Sequence, residues 1–101
     1  MKSDSFKDFI LDQLQHLNQL NCRPMFGGYG LYRGKKFFGI IYKGRVYFKT
    51  RPSNRTHYVE WGMKPFRPNS KQILKNYFEV PPDILEDSDQ LTLWAEQAFQ
   101  A

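Results

Sequence analysis

Phe6, Phe9, Ile10, Leu14 and Leu17 recur at three- and four-residue steps, with Leu20 closing the series, and this spacing predicts a helix over residues 4–20 with one apolar stripe. Ser3 or Ser5 is its expected cap. Pro24 ends the run, because the residue before a proline is pushed away from helical backbone angles. From Tyr29 to Thr50 the chain turns aromatic and β-branched, through Tyr32, Phe37, Phe38, Ile40, Ile41, Tyr42, Val46, Tyr47 and Phe48. Gly34 and Gly44 punctuate it, so the stretch reads as three antiparallel strands with hairpin turns at Arg33-Gly34-Lys35 and Lys43-Gly44.

Beyond Arg51-Pro52, Ser53 or Asn54 is expected to cap a short second helix over residues 55–61, which Gly62 stops. Prolines 65 and 68 each remove a backbone donor, so any strand there lies at a sheet edge. Residues 73–80 read as another strand, with Leu74, Phe78 and Val80 on one side. Asp87-x-x-Gln90 has capping-box spacing and leads into a last helix whose apolar face is Leu91, Trp94, Ala95 and Ala98. The order α-β(3)-α-β(2)-α predicts an α+β fold: two layers, an antiparallel sheet of about five strands, and helices on one face. One domain is expected over residues 1–101.

The chain of 101 residues carries a net charge of +5, and the average conceals a division. Residues 23–76 hold thirteen Lys and Arg against Glu60 alone, whereas residues 77–101 hold six acidic groups and no basic one. A cationic block of this kind attracts phosphate polymers, unless the protein's own acidic segment neutralises it. Arg33, Lys35, Lys36, Lys43, Arg45, Lys49 and Arg51 are the candidate contacts to nucleic acid or a partner, since they gather at predicted strand ends and turns and are expected to share a surface. The rival account is that they are solvated charges.

No run approaches the roughly 18 apolar residues of a membrane span, and Lys2, Asp4, Lys7 and Asp8 stand where a signal peptide is apolar. A cytoplasmic location without membrane contact is expected. The sole cysteine, Cys22, excludes an internal disulfide and reads as an idle or buried thiol. His16 and His57, each expected on a helix, lack a second ligand at metal spacing. Asp83, Glu86, Asp87 and Asp89 suit the start of a helix, where the dipole favours negative charge. No catalytic residue, cofactor or metal is expected.

The segment Met25-Phe26-Gly27-Gly28-Tyr29-Gly30 allows three accounts. A phosphate cradle needs glycines between a strand and a helix, but Arg33 stands where the last glycine of a dinucleotide fingerprint belongs and strand residues follow. Base stacking is suggested by aromatics among cations, and residues 36–42 faintly resemble the aromatic strand of an RNA recognition motif, without its second-position glycine and with a helix leading where that fold has a strand. The aromatics are instead expected to divide between a core face and an outer face shared with Lys and Arg stems. In the mechanical account, which is preferred, Gly27 and Gly28 permit a bulge or sharp twist and Gly30 a close approach.

Residues 23–32 (RPMFGGYGLY), 44–50 (GRVYFKT), 62–68 (GMKPFRP) and 77–87 (YFEVPPDILED) together resemble the N-terminal domain of the TfoX family, regulators of bacterial competence. The resemblance spans nearly the whole chain and implies a stand-alone N-terminal domain with the α-β(3)-α-β(2)-α architecture, related to that of secretion chaperones. Full-length members carry a second domain similar to helix-hairpin-helix modules and are thought to act with the cyclic-AMP receptor protein at competence promoters. The expectation is a non-enzymatic regulatory or adaptor domain, its partner a transcription factor, another protein or nucleic acid held electrostatically. The alternative is a chaperone-like or homodimeric protein-interaction module.

Overall fold

The N-terminal apolar stripe folds as a helix, but a shorter one than its spacing predicts. The computed structural model describes residues 5–25 and 27–100, so that Ser3, a cap candidate, and Phe26 lie outside the described residues. Helix α1 (Ser5–Gln13) has Ser5 as a helical residue. Leu14 and Leu17 are buried beyond its end, the Leu14 amide donating to the Ile10 carbonyl and that of Leu17 to Leu14. Gln19, at φ 60°, turns the chain into strand β1 (Leu20–Met25), which pairs with β2 (Gly28–Arg33) from Leu20↔Arg33 to Met25↔Gly28. A strand therefore stands where helix end and loop are expected. Hairpin pairing with the neighbouring strand β2 satisfies the backbone groups of residues 20–25 and overrides their local preference.

Strands β3 (Lys36–Tyr42) and β4 (Arg45–Lys49) complete the predicted meander, with Lys43 and Gly44 forming the tight turn between them. Helix α2 (Pro52–Glu60) follows. Its N-cap is Arg51, not Ser53 or Asn54; Pro52 comes first in the helix with its φ already set, and Asn54 Oδ1 reaches back to accept from the Arg51 amide (2.9 Å). At the other end the Gly62 amide donates to Val59 and the Met63 amide to Tyr58, a Schellman closure at the expected glycine. Strands β5 (Pro65–Asn69) and β6 (Gln72–Glu79), the four-residue helix α3 (Pro82–Leu85) and helix α4 (Ser88–Phe99) finish the fold. Asp87 caps α4, accepting from the Gln90 amide (3.1 Å), as its spacing predicts.

The architecture is α+β with an open antiparallel sheet in the order β1-β2-β3-β4-β6-β5. Six strands replace the expected five, because of β1, and α3 is a fourth helix. Both edges carry proline: Pro24 in β1, Pro65 and Pro68 in β5.

Two irregularities decide which side chains face the helices. Between β2 and β3 the register passes from Leu31↔Gly39 to Tyr32↔Phe37, which leaves Phe38 as an extra residue. Phe38 and Gly39 consequently both face the helices, and a Cβ on Gly39 would lie 3.0 Å from Phe48 Cδ1 and 3.2 Å from Leu31 Cδ1. In β6 the pairs Phe78↔Pro65 and Leu74↔Phe66 enclose a further irregularity, so Leu74 and Phe78 do not share a face, contrary to simple alternation. Asn76 sits in that irregularity. Its carbonyl accepts from the Thr50 amide and hydroxyl, and its side chain accepts from Arg55, tying α2 to β6.

The helix-side core joins Ile10 and Leu14 to Tyr58, Leu91, Trp94, Ala95 and Ala98 over Leu31, Phe38, Ile41, Val46, Phe48, Phe78 and Val80. A second cluster, centred on Ile40, Tyr47 and Phe66, occupies the opposite face, which no helix among the described residues covers. The Phe66 ring lies 4.5 Å from Tyr47 and 5.3 Å from Tyr42, so the sheet curls until edge strand β5 reaches over β4 to β3.

Gly28 offers the most direct check on this packing, since a Cβ there would stand 2.2 Å from the Ile41 carbonyl oxygen. Gly28→Ala is expected to lower unfolding free energy by about 2 kcal/mol or more, as forced overpacking does, while Gly44→Ala, whose Cβ would meet nothing within 4 Å, loses about 1 kcal/mol through its backbone angle alone. Urea titration of the two variants measures the difference.

Candidate nucleic-acid interface

Antiparallel pairing of β3 and β4 divides the seven candidate cations between two ends of the sheet. Lys36 begins β3 and Lys49 ends β4, so both lie at the end of the β2–β3 turn, with Arg33, Lys35 and Arg51. Lys43 and Arg45 lie at the far end. Seven residues of β3 separate the two groups, about 20 Å of strand. They do not form one surface.

The nearer group divides again by face. Lys36 Nζ donates to the Phe99 carbonyl, Arg51 Nη1 donates to the Gln100 carbonyl (3.1 Å), and the Arg33 guanidinium lies 4.4 Å from the Phe99 ring centroid. Three cations thus meet the C-terminal end of α4, whose last turn has no basic residue of its own. A helix C-terminus presents unpaired carbonyls and the negative end of its dipole, and these side chains supply from the strands what the helix lacks.

Lys49 shares the face of Tyr47, opposite the helices, where it pairs across the ladder with Tyr77. Lys35 is exposed in the turn. At the far end Arg45 bonds Glu79 (3.3 Å), and Lys43 Nζ lies 5.3 Å from the Tyr42 ring centroid. Among the described residues, Arg45–Glu79 is the one ion pair that a residue of the cationic block makes.

The helix-free face holds residues that the cation pattern alone does not single out. Tyr32, Phe37 and Tyr77 form a row across the sheet, with centroids 5.2 and 5.4 Å apart. All three are half-buried. Arg23, exposed on β1, lies over the Tyr32 ring at 5.3 Å. Burial, and secondarily Tyr32, push the Tyr77 phenol up to about 12. Period-two spacing of Tyr32 with Gly30 and of Tyr77 with Glu79 signals a shared face, but the bulges hide which of the remaining aromatics join it.

The glycines serve this arrangement by what they omit. Gly27, at φ 81°, lies in the β1–β2 connection, where a side chain would be strained. A Cβ on Gly30 would lie 2.9 Å from Met25 Sδ and 3.1 Å from both the Phe37 and Tyr32 rings, so the empty position is the floor on which these side chains meet. Gly28 and Gly30 lie within a strand, not at a helix N-terminus, the geometry a phosphate cradle requires.

Elsewhere, a cleft of about 580 Å³ is lined by Phe6, Phe9, Gln13 and Leu85, with Glu79 and Glu86 at its polar side. His16 lies in a turn and not on a helix, and the His57 ring, on α2, stands 6.4 Å from that of Trp94. Cys22 packs, partly buried, against the helix-side core. Among the described residues no group of three or more His, Cys, Asp or Glu is placed to hold a metal, and no helix is long and apolar enough to cross a membrane.

A curled antiparallel sheet with helices on one face and basic residues at its strand ends defines a small α+β domain. The sequence profile of the TfoX N-terminal domain matches residues 12–101, and the chain belongs to that family. Comparison with curated proteins gave no match.

Two measurements follow. Lys36→Met and Arg51→Met are each expected to lower stability by about 0.3–1 kcal/mol, with the loss shrinking at high salt, as for other charges at helix ends; thermal unfolding at two ionic strengths reads this. Because the folded protein holds the Tyr77 proton more tightly than the unfolded chain, whose phenol titrates near 10.0, its contribution is complete below pH 10 and is lost as pH rises toward about 12. Tyr77→Phe should therefore soften the alkaline fall in melting temperature.

Proposed function

We propose that this chain is a non-enzymatic regulatory or adaptor domain of the TfoX type, active in the bacterial cytoplasm, which contacts nucleic acid or a transcription-factor partner through its cationic middle and serves competence regulation. One observation carries the reading. The acidic C-terminal segment leaves most of the basic block without an ion partner among the described residues: Arg45 alone meets a carboxylate, and Lys35, Lys43 and Lys49 meet none. The positive potential of residues 23–76 is thus available to an external anion, and family membership supports a regulatory role.

A second reading, a homodimeric interaction module, is favoured by α2, where Val59 is 59% and its neighbour Trp61 47% exposed. Prolines at both sheet edges disfavour dimerisation by strand addition and leave this apolar patch as the surface for a second copy. Sedimentation distinguishes it: a monomer at all concentrations removes the dimer.

For the leading reading, titration with duplex DNA at several salt concentrations is expected to show log affinity falling linearly with log salt, by about 0.9 per neutralised phosphate. Lys35→Ala or Lys49→Ala should each reduce that slope by about one contact. A flat salt response, or no binding at low salt, assigns these charges to solvent.

A further inference from the structure

We infer that the helix-free face of the sheet is a stacking platform for single-stranded nucleic acid, with Tyr32, Phe37 and Tyr77 receiving the bases and Arg23 and Lys49 the backbone. The inference deepens the reading above and rests on it, since it names which nucleic acid the cationic domain takes. Three observations converge. The rings stand in one uninterrupted row, 5.2 and 5.4 Å between centroids, on a face that no helix covers. They are half-buried, each retaining surface toward water, whereas Tyr47 of the same face is closed in beneath β5 by Phe66. Cations accompany the row: Arg23 lies over Tyr32 at 5.3 Å at one end, and Lys49, on the strand between Phe37 and Tyr77, stands directly across the ladder from Tyr77.

Charge decides the class of occupant. Glu79, which stands on this face across from Tyr47, is bonded to Arg45, and no acidic residue lies on β1, β2, β3 or β4. An anionic polymer that also offers flat apolar faces matches such a surface. Single-stranded nucleic acid does so, because each base has a π-face and each nucleotide a phosphate. A duplex does not, since its bases are already stacked on one another. The row accommodates about two or three bases, the number comparable sheet surfaces hold. Gly30 is part of the device: the side chain it lacks leaves the floor on which Tyr32 and Phe37 settle.

Fluorescence anisotropy tests this with labelled oligothymidine and oligouridine of ten nucleotides and with a duplex of equal length, each across a salt series. The wild-type protein is expected to prefer the single strands. Phe37→Leu and Tyr32→Leu, which keep an apolar side chain but remove the plane, should each weaken single-strand binding about tenfold while leaving duplex binding unchanged. Should Phe37→Leu lose its folded circular-dichroism signal, Tyr32→Leu at the rim of the row carries the test. Equal affinity for duplex and single strands, indifferent to both ring variants, overturns the platform and leaves the electrostatic reading in place. Failure to bind any of the three at low salt overturns the platform together with the nucleic-acid contact proposed above. Binding of a proline-rich peptide to the row with no single-strand binding likewise overturns the proposal, assigning these rings to a protein ligand.

Discussion

A sheet with apolar residues on both faces and helices for only one of them must bury the other face against itself. The curl of this sheet is the constraint on which the remaining structure depends. Phe66, on the outermost strand, closes over Tyr47 and reaches Tyr42, which brings β5 above strands that β6 separates from it. Irregular pairing makes the curl possible. The extra residue at Phe38 and the displaced segment around Asn76 add local twist, and each redirects side chains that strict alternation would send elsewhere. The closure is incomplete: it covers Ile40, Tyr47 and Phe66 but leaves Tyr32, Phe37 and Tyr77 half-open.

Charge is arranged on the same plan. The division between a basic middle and an acidic end suggests mutual neutralisation, yet three of the six acidic residues stand at helix starts, Asp83 in α3 and Asp87 and Asp89 at the start of α4, where they meet helix dipoles. Apart from Arg45, which bonds Glu79, the cations of strand ends that touch the C-terminal segment gather at the other end of α4, Lys36 and Arg51 on its carbonyls and Arg33 on the Phe99 ring. Each sign thus answers a helix end, and the opposite charges hardly meet. This leaves Arg33, Lys36 and Arg51 with a structural task, which separates them from Lys35, Lys43 and Lys49.

Much of the architecture was legible in the sequence because it rests on local signals. Periodicity gave α1 and α4, the Lys43-Gly44 turn gave the β3–β4 hairpin, and Asp87 with Gln90 gave the cap. What was not legible depends on how strands pair, which the preferences of single residues do not decide. β1, Leu-Asn-Cys-Arg-Pro-Met, mixes apolar and polar residues around a proline, and it is a strand because β2 is there to pair with it. Bulges leave no compositional mark beyond a glycine, so Gly39 was the only trace of the first. The separation of the cations into two ends, by contrast, was available in principle, since two consecutive hairpins already place Lys36 and Lys49 together and Lys43 apart.

The glycine-aromatic segment joins these threads. Its three glycines act through two mechanisms, a backbone angle at Gly27 and space at Gly28 and Gly30, and the spatial demands differ in kind. At Gly28 the obstacle is a backbone carbonyl, which cannot move without disturbing the β2–β3 ladder. At Gly30 the obstacles are Met25, Tyr32 and Phe37, side chains able to reorient. An added methyl at Gly30 would therefore be absorbed largely by displacing the aromatic row and only secondarily by weakening the sheet. The position belongs more to the open face than to the core, and selection for glycine there would concern the orientation of those rings more than the stability of the fold.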